Sequence, residues 1–181
     1  MGQGESSYKR YLEGDEDAFN EVLELYYNNL TLFVNGYLND VHASEDVAID
    51  AMLELVIHKK RFDFRSSLKT YLFAIGRHKA LNHLKKHRRE LPLPLDEAAL
   101  ADRDSLEREV IAGESRRAVL KALGELPEDM RVAVHLVHIE GLSYREAGKV
   151  MKKNEKQVDN LLTRAKKLMR VSIETEKGNI L

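Results

Sequence analysis

The chain has 181 residues, 43% apolar and 33% charged, with three prolines and no cysteine, which leaves room for one ordinary domain or two small ones with a helical bias. The lack of cysteine excludes disulfides and thiolate metal sites. No apolar run approaches the roughly 20 residues of a membrane span, and the start is acidic, unlike a signal peptide, so the expected location is cytoplasmic. The net charge of −1 conceals alternating blocks: −10 over residues 1–57, +10 over 58–89, −5 over 90–113 and +4 over 114–181, a pattern of separate surfaces for separate partners, with the basic blocks suited to phosphates.

In chain order, Phe19, Val22, Leu23, Tyr26, Leu30, Val34 and Tyr37 recur at three- and four-residue steps, predicting an amphipathic helix from about Asp15 to Leu38–Asp40. Ser44 reads as the N-cap of a second helix with Glu45 and Asp46 in its first turn and Val47, Ala51, Met52, Leu55 and Val56 inside. Residues 58–65 break the period and read as a loop. Its run Lys59-Lys60-Arg61-Phe62-Asp63-Phe64-Arg65 interleaves rings with cations, as suits unpaired nucleic acid, where bases stack on rings and cations follow the backbone. The plainer reading, that Phe62 and Phe64 cover the core, has equal weight. Ser66 or Ser67 then caps a third helix, with Leu68, Tyr71, Leu72 and Ile75 inside, that runs into the basic tail Lys85 to Arg89.

Pro92 and Pro94 stop that helix, because each removes a donor and restricts the residue before it. Residues 90–113 therefore read as an acidic linker, with a weak stripe only at Leu106, Val110 and Ile111. A second domain, 114–181, opens with Val119, Leu120 and Leu123. Pro127 starts a helix whose inner face is Met130, Val134 and Val137, and Gly141 supplies a left-handed stop. Ser143 with Glu146 forms a capping box, and Asn154 with Gln157 repeats the device eleven residues on. Between them fit two turns of helix, a tight turn and a second helix, with Ala147 and Gly148 small at the crossing and Leu161, Leu162, Leu168 and Met169 in the core. That is a helix-turn-helix, whose second helix can enter a major groove.

His83 and His87 have zinc-like spacing, but no carboxylate or cysteine accompanies them among many cations, so no metal is expected. No nucleophile–base arrangement or phosphate-binding glycine loop is present, so neither an enzyme nor a cofactor is expected.

Residues 44–53 (SEDVAIDAML), 67–78 (SLKTYLFAIGRH), 126–131 (LPEDMR), 141–148 (GLSYREAG) and 158–168 (VDNLLTRAKKL), in this order, resemble regions 2 and 4 of bacterial RNA polymerase sigma factors of the extracytoplasmic-function type. Ile49, Tyr71, His78 and Lys152 stand where that family usually has glutamine, tryptophan, asparagine and glycine, and Asp159 and Leu161 stand where basic residues are common. The resemblance implies an all-α chain of two small helical domains, region 2 (1–89, a three- to four-helix bundle) and region 4 (114–181, the helix-turn-helix). It implies RNA polymerase core (β and β′ subunits) and promoter DNA as partners, with an anti-sigma factor as a further candidate. Polymerase contacts would fall on Asp46, Ile49, Asp50 and Leu53. Contacts to the −10 element would fall on Lys59, Phe62, Phe64, Arg65, Ser66, Lys69, Tyr71, Arg77, His78, Asn82, Lys85 and Lys86. Those to the −35 element would fall on Ser143, Arg145, Lys153, Glu155, Lys156, Gln157, Asp159, Asn160, Thr163, Arg164 and Lys167. Two rivals are a free-standing helix-turn-helix regulator, which binds duplex alone, and a sigma mimic that titrates an anti-sigma factor without supporting transcription.

Overall fold

A computed structural model describes residues 2–90 and 114–178, and no strand occurs among them. The first group of helices is α1 (Gln3–Leu12), α2 (Ala18–Leu38), α3 (Val41–Ile57) and α4 (Leu68–Glu90). The stripe read from the sequence is the inner face of α2, where Val22, Leu30 and Val34 are fully buried against Leu55, Leu68, Leu72 and Phe73. Each such side chain stabilises the bundle by about 1.5–3 kcal/mol.

The junction of α2 and α3 corrects one expectation. Asn39 ends α2 in the left-handed region (φ 50°), its N–H bonded to the Asn35 carbonyl, a conformation asparagine tolerates better than most residues. Asp40 is then extended, and its carboxylate accepts from the Ala43 N–H at 3.0 Å. Asp40, not Ser44, is therefore the N-cap of α3. Ser44 is buried in the helix and returns its hydroxyl to the Asp40 carbonyl at 2.5 Å.

Helix α1 was not expected from the sequence. It packs on α2 and α4 and can do so because Gly4 is small: a Cβ there would lie 2.0 Å from the Tyr26 hydroxyl. Glu5 reaches across to accept from the Leu68 N–H at the head of α4, where a carboxylate also favours the helix dipole. Ser67 is the cap the sequence left open between two serines, its hydroxyl accepting from Thr70 N–H at 3.1 Å.

The second group is α5 (Glu114–Gly124), α6 (Glu128–Val134) with a five-residue π turn His135–Ile139, α7 (Tyr144–Met151) and α8 (Glu155–Gly178). Pro127 precedes α6, and Gly141 (φ +71°) makes the expected stop. One core assignment fails: Leu168 is exposed although Leu162 and Ala165 on the same helix are not. Of the apolar residues that open this group, Leu123 packs against the core while Val119 and Leu120 are exposed, and Ala118, Ala122 and Leu126 are buried. The two groups touch, α4 against α7 and α2 against α6. Among the described residues, no helix is long and apolar enough to cross a membrane. The expectations for 91–113 lie outside the described residues.

Candidate nucleic-acid interface

The basic-aromatic loop stands on a ring stack anchored by α1. Tyr8 is fully buried, and its hydroxyl donates to the Leu55 carbonyl at 2.8 Å near the end of α3. Burial, reinforced by Tyr11 and Tyr71, pushes its pKa up to about 12. Phe62 sits on this ring (5.9 Å between centroids) with Phe64 at 4.7 Å and Tyr71 at 5.2 Å. Only 4% exposed, Phe62 is core in this arrangement and presents no face to a base. Phe64 differs: it is 38% exposed and held at φ +60°. A bulky residue in that region costs on the order of 1–2 kcal/mol and persists only where its surroundings enforce it.

The loop cations differ in availability. Lys59 lies over the Tyr11 ring at 4.1 Å, Arg61 bonds Glu54 at 2.8 Å, and Arg65 is mostly exposed beside Asp63. Along α4, His78 bonds Asn82 at 3.0 Å on the exposed side, and Lys85 and Lys86 follow on the exposed surface. Arg77, half-buried, bonds the Tyr37 hydroxyl, whose pKa burial nevertheless raises. Ser66 and Tyr71 are half-buried. The His83 and His87 rings lie 5.2 Å apart, and the described residues contain no cluster of three or more potential metal ligands.

On α3, Asp46, Ile49, Asp50 and Leu53 all face outward while Val47, Ala48, Ala51 and Met52 face inward. Ile57, one turn beyond Leu53 and 68% exposed, extends the apolar line Ile49–Leu53–Ile57. The sequence reading missed it, although the four-residue spacing was there to see.

The helix-turn-helix has both expected caps. Ser143 accepts from the Glu146 N–H at 3.2 Å, and the Glu146 carboxylate accepts from the Ser143 N–H at 2.9 Å. The Ser143 hydroxyl, 2.7 Å from the carboxylate, and then the Ser143 N–H hold Glu146 below the usual carboxylate range. Asn154 and Gln157 exchange bonds of 2.8 and 2.9 Å in the same way. Lys152 makes the turn at φ +56°, the left-handed position expected of the glycine it replaces. At Gly148 a Cβ would stand 2.5 Å from the Lys153 carbonyl oxygen, so the turn closes on bare backbone. Ser143, Arg145, Glu155, Lys156, Gln157, Asp159, Asn160, Thr163, Arg164 and Lys167 are all exposed, whereas Lys153 is half-buried in a 3.0 Å pair with Asp129.

The seam between the two groups holds polar residues that the sequence reading did not single out. The Glu140 side chain is 1% exposed. Its Oε2 lies 3.1 Å from Lys69 Nζ and 3.3 Å from Asn29 Nδ2. His135 Nε2 approaches Oε1 at 3.3 Å, in ion-pair range but with poor hydrogen-bond geometry. Burial raises the Glu140 pKa, but the neighbouring His135 and Lys69 outweigh it and leave the group below its usual range. The signal was a carboxylate following Leu136, Val137 and Ile139, just before the Gly141 stop.

Residues 22–90 match Sigma-70 region 2 and residues 116–169 match Sigma-70, region 4, together well over half of the chain. The chain belongs to the sigma-70 family. Among similar proteins, the ECF RNA polymerase sigma factor SigM of Bacillus subtilis is 24% identical over 153 residues, covering 84% of this chain and 93% of that protein. The ECF RNA polymerase sigma-E factor of Haemophilus influenzae is 27% identical over 178 residues, covering 92% and 93%. The solved sigma factor RpoE, in complex with the anti-sigma factor NepR from Bartonella quintana, superposes with a TM-score of 0.68 at 21% identity, over 86% of this chain and 96% of that one. CnrH, in complex with the cytosolic domain of CnrY, does so with 0.68 at 19%, over 96% and 99%. In this ECF-type sigma factor, α1 lies ahead of the region 2 match, and the seam residues Asn29 and Lys69 lie in region 2 while His135 and Glu140 lie in region 4.

Proposed function

We propose that this sigma factor works in the cytoplasm and divides promoter recognition among three surfaces, grouped as region 2 (1–89), an acidic linker (90–113) and region 4 (114–181). The outward acidic and apolar strip of α3 docks on core polymerase. The loop and α4 receive the −10 element, where an unpaired base must be captured and its lost stacking offset by new ring contacts. The capped α7–α8 pair reads the −35 element as duplex, with Gln157 and Asn160 suited to adenine and Lys156 to guanine. The linker's negative charge suits a basic polymerase channel. An anti-sigma factor is a fitting regulator, since the structural relative RpoE is solved in complex with the anti-sigma factor NepR.

The observation that carries the −10 assignment is Phe64, an exposed ring in a strained backbone conformation on a buried aromatic stack at the head of the most basic stretch of the chain. The test is reconstituted transcription from a genomic promoter pool with sigma-free core enzyme. Wild type should give defined start sites. Phe64→Ala should retain duplex binding but lose opening, read as fluorescence of 2-aminopurine in the −10 element. Full opening by Phe64→Ala would remove the ring from the mechanism.

A further inference from the structure

Glu140 is a buried carboxylate that promoter reading by its own domain does not require. Two of its three side-chain partners, Lys69 Nζ and Asn29 Nδ2, belong to the other domain, and Lys69 also donates to the Glu140 backbone carbonyl at 2.9 Å. Together Lys69 and Asn29 form a small cradle of donors for an anion, beside the first turn of the helix assigned to the −10 element. We propose that Glu140 is an internal stand-in for a promoter phosphate: its carboxylate occupies this cradle in the closed chain and yields it to the DNA backbone when the domains part. The proposal rests on the reading of α4 as a DNA-contacting helix.

Three features support exchange over a permanent joint. The seam sits at the edge of both surfaces, since α4 packs on α7 and Ser67 donates to Glu146, the capping residue of the helix-turn-helix, at 3.4 Å, while Lys69 from the −10 set is drawn into it. The seam is also imperfect. Among the described residues, the buried side-chain polar atoms without a well-formed hydrogen bond are Arg131 Nε and the pair His135 Nε2 and Glu140 Oε1, which face each other at 3.3 Å with poor geometry, and all three belong to seam residues. Buried groups are normally satisfied, and polar, incompletely satisfied domain contacts are the kind that open.

The third feature is length. Elements named −10 and −35 lie roughly 25 base pairs apart, which is about 85 Å of duplex at about 3.4 Å per pair. Helices in contact lie about 8–10 Å apart. The closed form cannot reach both elements. A fully extended chain the length of residues 91–113 spans at most about 80 Å, enough to let the domains separate.

The test uses the full chain without polymerase, measuring radius of gyration by small-angle X-ray scattering and binding of a labelled single-stranded −10 oligonucleotide by anisotropy. Glu140→Gln should expand the chain and tighten oligonucleotide binding by on the order of tenfold, with helix content unchanged by circular dichroism. Lys69→Gln should expand it without the gain in affinity, because the cradle has lost its cation. Pairing Lys69→Glu with Glu140→Lys should restore compactness. If Glu140→Gln is as compact and binds as weakly as wild type, the proposal is wrong. Transcription separates this failure from that of the reading beneath it. Normal initiation by wild type with an unresponsive Glu140→Gln removes only the latch, whereas absence of initiation by wild type with core enzyme removes the promoter assignment itself.

Discussion

At residue scale, the turn of the helix-turn-helix sets two substitutions against each other. Lys152 has no steric right to φ +56°, whereas glycine adopts that region freely, so Lys152→Gly should raise stability by about 0.5–1 kcal/mol in urea melts. Gly148→Ala should do the opposite and cost about 2 kcal/mol or more, because its new methyl meets the backbone oxygen of Lys153 and backbone cannot swing aside. Duplex binding by region 4 should fall with it. Glu146 adds a pH dependence. Its folded pKa is depressed by the Ser143 bonds, so its contribution is present above the ordinary carboxylate value and lost as pH falls through the depressed one. Glu146→Gln should flatten the acid limb of a thermal-stability profile, and an unaltered limb would assign the acid sensitivity elsewhere. These positions were legible in the sequence because capping is local chemistry: a serine, a glutamate three residues on and a residue at the turn define the geometry without reference to the rest of the fold.

At the scale of elements, the same logic explains what was not legible. Helix α1 has Gly4 and Ser7 where an apolar stripe would show, and it is held by single long-range contacts, Tyr8 to the Leu55 carbonyl and Glu5 to the Leu68 N–H. Only the fold reveals such partners. The start of α3 was misplaced because Ser44 has the right residue type, while Asp40, after a left-handed Asn39, has the right backbone. Tyr8→Phe should cost region 2 about 1–2 kcal/mol, the penalty of leaving a buried carbonyl unpaired, as measured by denaturant midpoint. An alkaline limb should also appear. Tyr8 and Tyr26 are both raised from 10 to about 12 by burial. A raised folded pKa stabilises fully below the unfolded value, so stability should hold to about pH 10 and fall between about 10 and 12. Loss of Tyr8 by Tyr8→Phe should make that fall shallower.

For the whole molecule, the order of the domains and the alternation of charge were plain in the sequence, since both are properties of segments. The closed arrangement was not, because its seam gathers Asn29, Phe33, the Gly36 carbonyl and Lys69 from one domain and Arg131, His135 and Glu140 from the other, none of which forms a pattern along the chain. The face left free on α3 points away from that core. Ile49, Leu53 and Ile57 are 46%, 45% and 68% exposed, so polar substitutions there should change stability by no more than about 0.5 kcal/mol. Three exposed apolar residues one turn apart, flanked by Asp46 and Asp50, form a stripe that a partner helix can cover. Leu53→Asp with Ile57→Asp should therefore weaken assembly with core polymerase by on the order of tenfold or more while leaving the melting temperature in place, and Asp46→Lys with Asp50→Lys should act mainly on the association rate and its salt dependence. Competition with a labelled wild-type chain for core enzyme measures the first, and stopped-flow association at two salt concentrations measures the second. Unchanged assembly by both double variants would place the polymerase contact on another face of region 2, and a fall in melting temperature would show that the α3 stripe belongs to the core of this chain.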